Sequence, residues 1–266
     1  MKPKWSTVAG GLVALVWIFP YVWMTLTSLK PLPEILHRPT ALLPSSPTVA
    51  AYREVWGSID VGRYLVVTLA MALAIAALQI ALALPAGYAL AKLRFRGRGM
   101  ALGLVIACLL IPTQMTFVPI FLMFAKLHLV NTFLSLVLPF GASALGTFMI
   151  RQALLSVPDE IVEAARLDGA SELTIVYRVL APIVRPTLVA LFLVSFVFHY
   201  NDYFWPLVMT TDDSVRTLPL GIALLREQGT GVRWHVIMAA NVLLSAPVLA
   251  LFSITQRSLV RGIAGR

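Results

Sequence analysis

Chemistry in a folded chain needs polar side chains that can converge, and here few are available. Four histidines, His37, His128, His199 and His235, are scattered with no ligand spacing among them, so no metal site is expected. The single cysteine, Cys108, has no companion for a disulfide or a metal and reads as a small apolar residue. A nucleotide-gripping loop requires glycines followed by Lys and Ser or Thr, and the chain contains no Gly-Lys pair. A serine activated by histidine has one candidate pairing, Ser143 with His199. Against it, Gly141-Ala142-Ser143-Ala144 also suits small residues that let helices approach closely. Within apolar runs the polar positions are Gln114, after Pro112, and the adjacent Asn201 and Asp202, candidates for lining a polar pathway. The carboxylates by which a secondary carrier holds a coupling ion at mid-membrane are otherwise missing.

The densest polar stretch covers residues 156–171. Pro158 with Asp159 and Glu160 in a first turn, after Ser156, reads as a helix start, and Gly169 reads as its stop. Ile161, Ala164, Ala165 and Asp168 then share one face of a helix of about three turns. It is too short and too weakly apolar to bury itself in lipid. A second helical pattern, from near Ser171 through Leu173, Val176, Tyr177 and Leu180, runs to Pro182. The pair has the form of a projection offered to a soluble partner.

What must position these residues follows from composition. The 266 residues are 59% hydrophobic and only 12% charged, with a mean hydropathy of +0.86, which excludes an ordinary soluble domain. A bilayer core of about 30 Å asks for about 20 uncharged residues per helix. Spans are expected at 8–29, 64–91, 99–125, 129–150, 186–209 and 236–256, the fifth carrying Asn201 and Asp202. The remainder is too small for a soluble catalytic domain, and the whole chain, 1–266, reads as one transmembrane domain. With the N-terminus inside, 13 of the 21 basic residues but only 5 of the 12 acidic ones fall on the cytoplasmic side. The charge of +9 is therefore a statement of orientation, following the positive-inside bias, and nucleic acid is not needed to explain it. The expected fold is an all-α integral membrane protein of six transmembrane helices, both termini cytoplasmic, with a short cytoplasmic helix in the 151–185 loop. The interior prolines Pro85, Pro112, Pro119, Pro139 and Pro247 are expected to supply kinks.

The 151–185 loop resembles the EAA loop of ABC importer permeases. Glu163-Ala164-Ala165 is followed after three residues by Gly169 and after nine more by Val179-Leu180-Ala181-Pro182, with Val179 and Ala181 as mild apolar departures. The resemblance continues in Phe19-Pro20, Ser28-Leu29-Lys30, Tyr88-Ala89-Leu90-Ala91, 127–132, Leu138-Pro139, 201–207 and 256–262. It is similar to the maltose and glycerol-3-phosphate branch of binding-protein-dependent importers. That resemblance implies the type I ABC importer fold and a permease that translocates a sugar, sugar derivative or glycerol-phosphate-type solute, with no catalytic residues of its own. It implies that Glu163, Ala164 and Ala165 form a ridge docking on a cytoplasmic ATPase, that Asp168 orients it, that Gly169 sets the bend and that Pro182 ends the second helix. The implied partners are a second homologous permease in a heterodimer, two ATP-binding subunits that hold MgATP, an extracytoplasmic solute-binding protein, and membrane lipid of the bacterial inner membrane. The outer surface for the binding protein would include residues 210–234. An intramembrane serine hydrolase using Ser143 and His199, or a stand-alone secondary carrier, are the alternatives.

Overall fold

In a computed structural model, the backbone is described for residues 4–227 and 233–264, and the side chains within them apart from residues 4, 6–8, 113, 114, 227 and 257–264. The described residues form helices joined by turns and irregular segments, with no strand among them. The principal helices are Lys4–Ser28 (α1), Val61–Lys92 (α2), Arg98–Leu110 (α3), Thr113–Lys126 (α4), Ala144–Leu155 (α5), Asp159–Leu167 (α6), Arg185–Tyr200 (α7) and Trp234–Ala264 (α8). Three segments are long and apolar enough to cross a membrane: Ala9–Ser28, Val61–Lys92 and Trp234–Gln256. The number rises to as many as six if each bent helix pair is counted as one span.

Three expected spans are broken rather than continuous. The third stops at Leu110 and restarts at Thr113 with Pro112 as the capping residue, because proline's neighbour is pushed out of the helical region. The fourth is Phe133–Val137 with the turn Leu138–Phe140, then α5, at an angle of 43°. The fifth does not continue from residue 186 to 209 as expected. α7 ends at Tyr200 and a short separate helix, Phe204–Met209, follows; the bent pair that includes α7 joins it to Glu172–Ile183, at 86°. Proline acts differently by position: Pro85, Pro119 and Pro247 lie inside helices, whereas Pro112 and Pro139 mark breaks.

The chain divides into two units. One contains residues 1–65 and 217–251. Its core joins Ala51 and Val55 of the Ala50–Ser58 helix to Val61 and Tyr64, to Leu218, Ile222 and Leu225 of Leu218–Glu227, and to Val236, Ala239 and Ala240 of α8. Gly221 is required there by close approach, since a Cβ would lie 2.5 Å from the Tyr64 ring. Arg233 pairs with Glu54, and Ser28 shares a hydrogen bond with Tyr52 at 2.8 Å.

The other unit contains residues 66–216 and 252–266. One of its cores gathers Met71, Ile75, Phe124, Leu136, Val137, Trp205 and Met209, where the Trp205 indole donates to the Ser135 carbonyl at 2.9 Å. The second gathers Ala83, Leu84, Tyr88 and Ala91 of α2 with Ile150, Leu154, Val162, Ile175, Val176, Leu180 and Leu191. This second core carries the candidate site.

Candidate functional site: a clamped helix beside the end of α2

α6 forms where the sequence places it. Asp159 and Glu160 occupy its first turn, where carboxylates complement the exposed amide groups, and Arg166 its last. Ser156 is not its cap, however. That hydroxyl donates to the Ala153 carbonyl at 2.7 Å, closing the end of α5, and Pro158 starts α6 instead. The C-terminus is a complete Schellman turn. The Gly169 amide donates to the Arg166 carbonyl and the Ala170 amide to the Ala165 carbonyl, both at 3.0 Å. Gly169 has φ +79°, in the left-handed region where L side chains are strained, and a Cβ there would meet nothing within 4 Å. The glycine is therefore needed for its backbone and not for space.

Burial corrects the expected face. Val162 is buried, with Ile161 and Ala165 packed on the same core, so the inward stripe is 161, 162 and 165. Burying a valine of this kind stabilises by about 1.5–3 kcal/mol. The outward stripe is Glu160, Glu163, Ala164, Leu167 and Asp168. The supposed ridge therefore splits: Ala164 and Asp168 face out, and Ile161 and Ala165 face in. Leu167, which the spacing did not single out, is 90% exposed at the tip.

The helix is held at both ends by α2. At its start, the Lys92 ammonium donates to the Asp159 carboxylate and to the Val157 carbonyl, each at 2.5 Å. The Lys92 side chain is only 5% exposed although charged, so this pairing is what allows its burial. The ammonium holds the Asp159 carboxyl below its ordinary value, with Arg94 and Arg98 adding to the field. At the other end, Arg166 Nε donates to Glu172 at 2.8 Å and Arg166 Nη2 to the Tyr88 hydroxyl at 3.0 Å, while that hydroxyl donates to Glu172. The Arg166 guanidinium, and then the Tyr88 hydroxyl, hold Glu172 below the usual carboxylate range. Tyr88 and Lys92 are four residues apart and thus on one face of α2.

The end of α2 is itself tied down. Its final carbonyls have no helical donors, and Arg98 donates from Nε to Leu90 at 2.9 Å and from Nη2 to Ala91 at 3.0 Å. Arg151 also donates to Leu90, at 3.2 Å. Two of the four clustered basic residues, Lys92 and Arg98, thus have specific structural partners as well as a share in the charge asymmetry. Gly87 lets α5 approach: a Cβ at this position would lie 2.8 Å from Ile150 Cγ2 and 3.0 Å from the Arg151 nitrogen.

After Gly169 the chain turns into helix again at Ser171, whose hydroxyl accepts from the Thr174 amide at 3.3 Å. Residues Ile175–Leu180 form a π-helix, and the Ala181 amide donates five residues back to Val176. Pro182 explains the change of pitch. Its ring would crowd the Arg178 carbonyl in an α-turn and it has no amide to offer it. Pro182 lies in the last turn, Ala181–Ile183, where the segment ends.

The remaining candidates stand elsewhere. Asn201 caps α7, donating from Nδ2 to the Val197 carbonyl at 2.8 Å, and Asp202 Oδ1 accepts from the Trp205 amide at 3.3 Å. Both side chains serve the backbone at the break in the fifth span. Gln114 is in the first turn of α4, and its side chain lies outside the described residues. Ser143 is the N-cap of α5 and accepts from the Gly146 amide at 3.0 Å. His199 faces Gln79, 3.4 Å away, and packs on the Phe140 ring at 4.6 Å. The serine is thus engaged in capping and the histidine with a different partner, which removes the basis of the hydrolase alternative. Part of the 210–234 segment, residues 228–232, also lies outside the described residues.

These features define an all-helical chain of membrane-crossing apolar segments whose principal charged loop is held as a preformed projection. The chain belongs to the family of binding-protein-dependent transport system inner membrane components, whose family model matches residues 79–265. Membership places it among membrane transport components rather than enzymes. Among curated relatives, the sn-glycerol-3-phosphate transport system permease protein UgpE of Yersinia enterocolitica is 34% identical over 161 residues, 60% of this chain and 57% of that protein. The UgpE of Salmonella typhi is 36% identical over 156 residues, 58% of this chain and 56% of that protein. The chain thus spans little more than half the length of the curated relatives it matches. Among solved structures, a bacterial ABC transporter involved in the import of the acidic polysaccharide alginate aligns with TM-score 0.80 at 21% identity, over 95% of this chain and 94% of that one. A bacterial alginate ABC transporter in complex with an alginate pentasaccharide-bound periplasmic protein aligns at TM-score 0.60 and 14% identity, over 96% of each chain. At these identities the solved structures establish the fold.

Proposed function

We propose that this chain is the permease subunit of an ATP-driven ABC importer for a sugar, sugar derivative or glycerol-phosphate-type solute. In this reading 1–266 is one permease domain of six spans, the fifth carried by α7 with 151–185 left as the cytoplasmic loop, and both termini are cytoplasmic. The observation that carries the reading is α6 itself: its exposed stripe of Glu160, Glu163, Ala164, Leu167 and Asp168 is presented outward while its inward side and both ends are fixed to the body of its unit. Such a helix transmits a push rather than absorbing it. It would dock on an ATP-binding subunit, with Glu163 and Ala164 at the contact and Ala165 backing them from the core side, Asp168 orienting it, Gly169 fixing the bend and Pro182 ending the return segment. MgATP is bound and hydrolysed in that subunit, of which two copies are expected. A second homologous permease completes the solute path, and an extracytoplasmic binding protein delivers the solute.

Gln114, Asn201 and Asp202 are the candidates of this chain for that path. The break at Asn201-Asp202 supports a place there, since irregular backbone at membrane depth is tolerated where it lines a cavity or is buried in protein. The 34–36% identity with glycerol-3-phosphate permeases favours a phosphorylated polyol among the solute classes. The test is copurification: affinity capture of this chain from membranes should bring down an ATPase subunit whose hydrolysis is stimulated by a solute-loaded binding protein. Capture of the chain with no ATPase would refute the proposal.

A further inference from the structure

Pro85 lies inside α2, and a proline nitrogen carries no proton. The carbonyl of Ala81, four residues back, is therefore without its ordinary helical donor. The Tyr177 hydroxyl donates to that oxygen at 2.9 Å. Tyr177 lies in the π-helical turn that follows α6, and its neighbours Ile175, Val176 and Leu180 pack on Ala83, Leu84 and Tyr88 of α2. The positions on α2 tied to the 157–177 stretch by hydrogen bonds or ion pairs are 81, 88 and 92, with Pro85 between them, at spacings of four, three and four. All four lie on one face, extending about 16 Å along the helix.

The three ties differ in position. Lys92 with Asp159 and Tyr88 with Arg166 and Glu172 both fall on the cytoplasmic side of Pro85. Only the Tyr177 bond reaches the turn beyond it. Without that bond, only the apolar packing at Ala83 and Leu84 would link the segment to α2 beyond Pro85, and the interrupted hydrogen-bond ladder would let α2 bend more readily when α6 is displaced.

We propose that Tyr177 is a positioning residue: its hydroxyl replaces the donor that Pro85 lacks and fixes α2 across the proline to the segment that follows α6, so that displacement of α6 is passed to the part of α2 beyond residue 85. This rests on the transport reading above and adds a specific route for the coupling. Tyr177 acts through the Ala81 carbonyl and touches neither solute nor nucleotide.

The test is a double-variant cycle on the whole complex, copurified with this chain and placed in lipid nanodiscs, with MgATP as the probe and no binding protein added. Tyr177→Phe keeps the ring and removes only the hydroxyl. It should leave the amount of copurifying ATPase unchanged while raising unstimulated hydrolysis about fivefold, the size expected for one lost hydrogen bond. In a Pro85→Ala background residue 85 supplies its own amide to Ala81, so adding Tyr177→Phe should change nothing further. A merely structural tyrosine would not show that rescue. Hydrolysis equal to the parent in Tyr177→Phe, or the same rise in both backgrounds, overturns the proposal. A parent chain that brings down no ATPase refutes the transport reading itself, whereas an ATPase that copurifies and is blind to Tyr177→Phe refutes only this linkage.

Discussion

Replacing Gly169 separates backbone from bulk at the end of α6. Its φ of +79° and the two Schellman hydrogen bonds show a left-handed residue that closes the helix, and a Cβ there would meet nothing within 4 Å. Any cost inside the chain is therefore conformational, about 1–2 kcal/mol for an L residue in this region. That corresponds to a factor of about 5–30 in the population of the native turn. Asparagine tolerates the left-handed region better than alanine, so the order of function should be Gly, Asn, Ala, with Leu at or below Ala. All four proteins should reach the membrane and copurify with the second permease. ATP consumed per solute imported, measured in proteoliposomes of the whole complex, should rise in the same order as function falls, and Gly169→Leu should hydrolyse ATP without transport. Normal uptake by Gly169→Leu refutes the role of the turn. An alanine variant that behaves like the parent while leucine fails would show that bulk, and not backbone strain, decides.

Other perturbations follow from the same contacts. Leu167→Ser should leave the thermal unfolding temperature unchanged, because the side chain is 90% exposed, yet reduce the ATPase recovered by affinity capture; unchanged recovery would remove Leu167 from the docking surface. Gly87→Val puts a Cβ 2.8 Å from Ile150 and 3.0 Å from the Arg151 backbone, an overpacking cost of about 1–3 kcal/mol, and should lower the amount of folded protein in detergent. Asp159 and Glu172 are held below their ordinary values of 3.8 and 4.5, so their ion pairs stabilise α6 above those values and are lost as pH falls through the depressed ones. Hydrogen-exchange protection of residues 159–172 should thus be constant between about pH 5 and pH 8 and fall below about pH 4. Lys92→Met should abolish the Asp159 share of that loss.

How much of this was legible in the sequence depends on range. α6, its glycine stop and the helix after Ser171 are local matters of capping and spacing, and the residues alone announce them. The phase of α6 was not, because alanines at 164 and 165 give little contrast between inside and outside; burial of Ile161, Val162 and Ala165 is decided by α2 and by residues 175–180. The ties from Tyr88, Lys92 and Tyr177 join positions tens of residues apart, which one sequence cannot pair. The only local hint was Tyr88 four residues before Lys92. Composition found the apolar runs but not their breaks. Asn201 and Asp202 look like isolated polar residues in one long helix, whereas their side chains bond to local backbone and end one helix before the next begins.

The central claim is that the outward face of α6 meets an ATPase in the cytoplasm, and Leu167 is the place to ask. In a Cys108→Ala background, Leu167→Cys carries the only thiol of the chain. A membrane-impermeant maleimide should label it in inside-out vesicles and not in right-side-out ones, and a short bifunctional thiol reagent should cross-link it in the assembled complex to an ATP-binding subunit identified by mass spectrometry. Labelling from the extracytoplasmic side, or no cross-link to an ATP-binding subunit in an ATPase-containing complex, would contradict the account.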